Sequence, residues 1–307
     1  MKNSRLKTVR WICKFLPPIV AQQVRKKLIS NQEAEEMAMD FERRSFTGGV
    51  FRSNTKDFHA FKFFVHGYFD WRNIVLAKSV LKVKKGDFIE VGANIGTETI
   101  SLAKINQFNM VHAFEPVPQN FEALKQIKKD NNFNNLHLYN CLVSDYSGIA
   151  NFKFPPENRS GSGFITNHQE NNTKEIKVIT LDQEFSTISS CALIITDVEG
   201  FDYNVLKGGL NLINKHKPFL IIEANKNLLE KRAKISVTQL YEKLIEMQYE
   251  VYYIQKLGIK EVVPSEFVNQ PNKNWFCIPK QYSGSKNKFS QTIFLNAINP
   301  FYNYIII

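Results

Sequence analysis

Phe88-Ile89-Glu90-Val91-Gly92-Ala93-Asn94-Ile95-Gly96 begins as an apolar strand and passes into a glycine-bearing turn. The next apolar run ends on Phe114-Glu115-Pro116. Together the two stretches describe a strand, a turn, a helix and a second strand closed by an acid. Open α/β sheets bind nucleoside-containing cofactors with that unit, at the carboxyl ends of parallel strands.

The turn narrows the cofactor. A dinucleotide site needs three close glycines so that backbone amides can approach a pyrophosphate. Here Asn94 stands two residues after Gly92, where the second glycine would be. Glu90 sits beside the turn, and its carboxylate would repel a pyrophosphate at short range. S-adenosylmethionine carries a sulfonium and an ammonium and no phosphate, and its carboxylate can rest on helix N-terminal amides. Glu90 suits that cation and Glu115 suits the paired ribose hydroxyls. The candidate cofactor contacts are Glu90, Gly92, Ala93, Asn94, Gly96, Glu115 and Pro116. Ser144-Asp145, after the third strand, can reach the adenine amino group; Asp145-Tyr146-Ser147-Gly148 also reads as an ordinary turn.

From residue 87 onward, strand and helix alternate. Strands are expected at 88–91, 111–114, 136–140, 192–196, 219–223, 250–255 and 275–279. Helices are expected near 97–105, 119–130, 203–214 and 237–247. Alternation of this kind predicts a mostly parallel sheet covered by helices on both faces. Residues 155–173, rich in Pro, Ser, Gly and Asn, read as a surface loop. The expected division is a basic, partly helical N-terminal extension over 1–75, a catalytic domain over 76–282 and a C-terminal tail over 283–307.

Charge is uneven along the 307 residues. Residues 1–85 hold 18 Lys and Arg against 7 Asp and Glu, whereas the remaining 222 hold 22 of each, so the N-terminal part supplies the whole net charge of +11. If 4–16 is helical, Leu6, Val9, Ile12, Cys13 and Leu16 share one face and Lys7, Arg10 and Lys14 another, with Pro17-Pro18 ending the segment. Such a helix can lie on an anionic membrane surface or dock on its own domain with a solvated basic rim. Lys14 and the prolines interrupt the apolar core that a signal peptide would need, and no eighteen-residue apolar run spans a bilayer. Cys13, Cys141, Cys191 and Cys277 are too dispersed for a metal site and read as buried reduced thiols. These features point to the cytoplasm, with residues 1–30 able to touch the inner membrane face.

A second constellation is Thr196-Asp197-Val198-Glu199-Gly200, after the apolar run 192–195. Alternate residues of an extended segment point the same way, so Asp197 and Glu199 can face one site at the end of a central strand. A carboxylate there can accept a proton from an attacking hydroxyl, orient it, or hold a divalent cation; helix capping is the structural alternative. Glu223 ends the next strand and can join them as an acceptor-site ligand or sit at a salt-bridged rim. His59 and His66 precede the first strand in an aromatic-rich stretch. Either can titrate near neutral pH, although a structural role is the simpler reading. No spacing of His, Cys and acids marks a zinc site.

Several motifs in order carry a family resemblance over residues 86–280. They are Gly86-Asp87 leading into the 88–96 stretch, Ala113-Phe114-Glu115-Pro116 with Pro118, Asn120 and Leu124, and Val143-Ser144-Asp145 with Gly148. Thr180-Leu181-Asp182 follows, then Asp197-Val198-Glu199-Gly200 with Val205-Leu206-Lys207-Gly208, and the strand from Pro218 to Glu223. The chain resembles the FkbM-type S-adenosylmethionine-dependent methyltransferases. The resemblance implies a class I methyltransferase fold, a Rossmann-like seven-stranded sheet with an antiparallel last strand. It also implies methylation of hydroxyl groups, often on sugars or specialised metabolites. By position, Glu90, Gly92, Asn94, Gly96, Glu115 and Asp145 would contact the cofactor, and Asp197 and Glu199 would lie at the methyl-transfer site. The family commonly has Lys where this chain has Ile195, and a longer acid where it has Asp202.

The expected function is O-methylation of a hydroxyl of a carbohydrate or glycoconjugate. A metabolite methyltransferase, a nucleic-acid methyltransferase and a non-catalytic protein keeping the fold are the alternatives. Asp-Val-Glu-Gly is a poor substitute for the Asn/Asp-Pro-Pro-aromatic turn of exocyclic-amine methylation, which argues against nucleic acid.

Overall fold

A computed structural model of the chain describes residues 2–155, 160–166, 173–269 and 273–300. In chain order the strands are β1 Asp40–Arg44, β2 Val50–Asn54, β3 Asp87–Val91, β4 Val111–Phe114, β5 Leu136–Tyr139, β6 Leu142–Val143 and β7 Gly148–Lys153. They continue with β8 Phe164–Ile165, β9 Thr173–Ile179, β10 Cys191–Thr196, β11 Phe219–Ala224, β12 Tyr249–Gln255, β13 Gly258–Glu261 and β14 Lys273–Pro279. The main sheet has the order β13-β12-β14-β11-β10-β3-β4-β5. Five strands, β5, β4, β3, β10 and β11, run parallel, and β14 enters antiparallel between β11 and β12. This is the class I methyltransferase arrangement, extended by β13, which forms a hairpin with β12.

Apolar alternation decides why the sheet is covered on both sides. Phe88, Leu193, Ile195, Ile221 and Phe276 enter one buried cluster with the helices Trp71–Val80 and Lys286–Ile298. Ile89, Val91, Ile194, Leu220 and Ile222 enter a second cluster on the opposite face, with the helix Val237–Glu246. Successive strand side chains point to opposite faces, so a strand apolar at every position needs cover on each. The segment expected as a C-terminal tail thus contains a helix whose Phe289, Ile293 and Ala297 are fully buried.

The single helix expected over 203–214 is two, Asp202–Lys207 and Leu210–His216, broken at Gly208-Gly209. A Cβ on Gly208 would stand 1.9 Å from the carbonyl oxygen of Ser144, so this break is where the helix pair touches the neighbouring chain. Asp182 accepts the amides of Asn211 and Leu212 at 3.0 and 2.8 Å, capping the second of the two helices.

Two further elements were not anticipated. β1 and β2 form a hairpin, and β6-β9-β7-β8 form a small second sheet. The described part of the expected surface loop, residues 160–166, is not a free loop. Phe164 and Ile165 pair with β7, and Asn120 Nδ2 donates to the Ser160 carbonyl at 3.0 Å. All four cysteines are buried and free. Among the described residues no helix is long and apolar enough to cross a membrane.

The N-terminal helix Lys2–Cys13 docks on its own domain. Leu6, Val9 and Cys13 are buried against Phe61, Phe64 and Val65 of the helix Phe58–His66. The face expected to meet a membrane is therefore spent on intramolecular packing, the alternative noted from the sequence.

Candidate functional site

Strand order reverses between β3 and β10, the place where open α/β sheets form a crevice. In that crevice lies a cavity of about 460 Å³. Val91 pairs with Thr196, so Gly92 and Asp197 leave the sheet side by side. The Asp197 amide donates to the Val91 carbonyl at 3.1 Å, and the Gly92 and Ala93 amides both donate to the Phe114 carbonyl at 3.0 Å. These bonds tie the ends of three strands into one platform.

Of the sequence candidates, Glu90, Gly92, Ala93, Asn94, Glu115, Pro116, Asp197, Glu199 and Glu223 line the cavity. Gly96, Ser144 and Asp145 lie outside this lining. The space at Gly96 is filled by Ile127 and Leu124 of the helix that follows β4. The Ser144 amide is taken by the Ile179 carbonyl at 3.0 Å. The Asp145 carboxylate turns away to Lys207 Nζ at 2.6 Å and Asn204 Nδ2 at 3.1 Å. In their place, Phe114, Cys141, Leu142, Val143 and Phe152 form an apolar wall.

Glu115 is held by its own turn. Asn94 N donates to Oε2 at 2.8 Å, while Val117 N and Asn120 Nδ2 donate to Oε1 at 2.9 and 3.1 Å. Asn94 reaches this position with φ of 52°, a left-handed conformation that Asn tolerates. Burial nevertheless pushes the Glu115 carboxyl up to about 7 against these bonds. Glu90 is pushed up to about 8 by burial, opposed by a 2.6 Å hydrogen bond from Thr99 Oγ1.

At the other end of the cavity, the carboxyls of Asp197 and Glu223 face each other and their titrations are linked. Burial, then the charges of Asp197, Asp202 and Glu199, push Glu223 up to about 9; desolvation inside the crevice also raises Asp197, although its surface is exposed at the cavity mouth. Both carboxyls are thus held above their usual range, and the pair takes up protons more readily than isolated acids would. Glu199 has φ of 57°, and Arg232 Nη1 donates to its carbonyl at 2.6 Å and its Oε2 at 3.4 Å. The Arg232 guanidinium lies 4.2 Å from the Phe164 ring centroid, joining the second sheet to this turn.

Residues that sequence reasoning missed complete the lining. Asp70, Arg72, Asn73 and Glu98 all face the cavity. Arg72 pairs with Asp70 and donates to the Ile254 carbonyl at 3.2 Å. Asn73 Nδ2 donates to both oxygens of Glu98 at 3.1 Å. Burial, then the neighbouring charges of Asp70 and Glu90, raises Glu98 well above the usual carboxylate range. A third acid two residues beyond Gly96 was a readable signal; Asp70 and Arg72, distant in sequence, offered none. His59 lines the cavity, and burial lowers it to about 4; His66 is buried elsewhere and lowered to about 3. Among the described residues no group of three His, Cys, Asp or Glu side chains is placed to hold a metal ion.

Three buried side-chain atoms of the described lining lack a hydrogen-bond partner: Asn73 Oδ1, Asn94 Oδ1 and Glu223 Oε2. Asn73 Oδ1 and Asn94 Oδ1 can only accept, whereas the Glu223 carboxyl, raised to about 9, can donate as well. A ligand that completes this site must bring hydrogen-bond donors.

The raised carboxyls set a pH dependence. Glu90, Glu115, Asp202 and Glu223 titrate at about 8, 7, 7 and 9 in the folded chain, against about 4 unfolded. Groups that hold protons more tightly when folded contribute stability below their unfolded range and lose it as pH rises through the folded values. Thermal scans of the ligand-free protein should show a midpoint at pH 9 roughly 5 °C or more below that at pH 6. A cationic ligand should narrow the gap. A midpoint that rises over this interval would show that the acids are not buried as described.

Comparisons with known proteins fit this geometry. The family model of the methyltransferase FkbM domain matches residues 90–251, more than half of the chain. A methyltransferase FkbM structure from Methylobacillus flagellatus is 15% identical, with a TM-score of 0.41, covering 89% of this chain and 58% of that one. This chain thus spans little more than half of that relative. An O-methyltransferase from Bacillus cereus in complex with SAH is 12% identical, with a TM-score of 0.41 and coverage of 68% and 80%. An rRNA methylase from Streptococcus thermophilus is 11% identical, with a TM-score of 0.39 and coverage of 67% and 93%. No curated protein matches the chain.

Proposed function

We propose that this chain, which belongs to the FkbM methyltransferase family, transfers a methyl group from S-adenosylmethionine to a hydroxyl of a neutral, hydroxyl-rich acceptor, a sugar of a glycan or glycoconjugate. The observation that carries this reading is the pair of unpartnered lining oxygens Asn73 Oδ1 and Asn94 Oδ1, which can only accept. A polyol and an ammonium both bring donors. A phosphate-bearing acceptor, nucleic acid included, would instead meet carboxylates at nearly every turn.

S-adenosylmethionine, when bound, supplies an electrophilic methyl group on a cationic sulfur. The chain's residues bind, align and receive a proton. Glu115 has lone-pair capacity beyond its three protein donors for the ribose hydroxyls. The wall from Phe114 to Phe152 suits the flat apolar faces of adenine, and Glu90 faces the cationic end. Asp197 accepts the acceptor hydroxyl's proton as the oxygen gains its methyl group, while Glu223 keeps the carboxylate oriented. Arg232 fixes the Glu199 turn at the rim.

Mass spectrometry of surface glycans from cells with and without the gene tests the acceptor class. One methyl group missing from a sugar residue is the expected difference. Unchanged glycans, with a purified protein that binds S-adenosylmethionine, would move the acceptor to a small metabolite. A protein that does not bind the cofactor removes methyl transfer altogether.

A further inference from the structure

We infer that the outward face of the first helix docks the protein on an anionic bilayer surface. The inward face of Lys2–Cys13 is used up in the fold, but the opposite face carries Lys7 and Trp11, and the turn that follows the helix adds Lys14 and Phe15 beside them. Trp11 is 64% exposed and Phe15 55%. Their rings pack edge to face at 5.4 Å, and Lys14 Nζ lies 5.7 Å from the Phe15 ring centroid. A shallow depression lined by Ser4, Lys7 and Thr8 adjoins Trp11.

Charge complementarity selects the occupant. The first 30 residues contain no acid. Arg5 is engaged by Glu33 and the Leu28 carbonyl, and Arg25 is buried against Phe61. Lys7, Lys14, Lys26 and Lys27 remain exposed, with no ion pair recorded among the described residues. Tryptophan settles at the headgroup level of bilayers, a neighbouring phenylalanine can enter the acyl boundary, and lysines draw the element to anionic lipid. Single-stranded nucleic acid is the competing occupant. The two rings lie at 73°, so they do not form the parallel platform on which successive bases stack.

Trp71 and Trp275 are buried, so acrylamide-quenchable emission of the full-length protein reports Trp11. Vesicles of phosphatidylcholine with about one third phosphatidylglycerol should protect that emission, and pure phosphatidylcholine should protect it far less. In cosedimentation, W11S/F15S should lower the partition coefficient about tenfold or more. K7Q/K14Q should lower it roughly thirtyfold on anionic vesicles. Both variants alter exposed side chains and should keep the wild-type thermal midpoint. Unprotected Trp11 with anionic vesicles, equal partitioning of W11S/F15S and wild type, or protection by a short single-stranded RNA and not by vesicles would each overturn the inference.

Discussion

Asp197→Asn should lower kcat by about a thousandfold while leaving the affinity for S-adenosylmethionine within about threefold, a loss in the range of a removed general base. The strand end fixes Asp197 through its amide bond to Val91. Its carboxyl lies beside that of Glu223, which burial and the surrounding acids push up to about 9. Asparagine keeps the shape and loses the proton acceptor. Glu199→Gln should cost less, roughly tenfold, because Glu199 is already engaged by Arg232 and acts through the position of the turn. Single-turnover rates beside equilibrium cofactor binding separate the two steps. A fully active Asp197→Asn protein would move the base to another lining residue, Glu98 and His59 among them.

The sheet was readable because its strands are buried on both faces, so their apolar runs stand out from the polar helices between them. Residues 111–114 were placed without error and 219–223 within one residue, since short β connections leave little room for slippage. The turn 90–96 was equally plain, because glycine and acids there have few structural uses. What escaped were features whose meaning depends on a distant partner. Gly96 reads like Gly92 in the sequence, yet Ile127 and Leu124 crowd the one and the Asp197 carbonyl crowds the other. Asp145 reads as a cofactor ligand until Lys207, sixty-two positions away, takes its carboxylate. Arg72 lines the cavity and Arg232 braces the lining residue Glu199 from behind, and neither lies in a motif.

The acids of the site are costly without a ligand. Four lining carboxyls, Glu90, Glu98, Glu115 and Glu223, are raised above their usual range, so the cavity favours proton uptake over charge. A cation that restores their ionisation gains from each of them, which couples cofactor affinity to pH and makes the cofactor a stabiliser of the fold. Charge reversal at one end of the crevice would therefore be felt at the other, because Asp197 and Glu90 both act on Glu98.

Gly92→Ala should dismantle this coupling. Gly92 has φ of 90°, and a Cβ there would stand 2.1 Å from the Asp197 carbonyl oxygen, a backbone atom that cannot rotate aside. Strain and overlap together predict a loss of about 3 kcal/mol or more, seen as a fall of roughly 10 °C in thermal midpoint. Relief requires β3 and β10 to part at their carboxyl ends. That would pull the Asp197 amide from Val91, and the Asn94 amide from Glu115, so cofactor affinity should fall at least about a hundredfold even at temperatures where the variant is folded. Gly284→Ala is the matched control, since nothing lies within 4 Å of its added Cβ. It should keep both the midpoint and the affinity. If Gly92→Ala melted and bound cofactor like Gly284→Ala, the strand ends would not be in the contact that brings Glu90, Glu115 and Asp197 to one cavity.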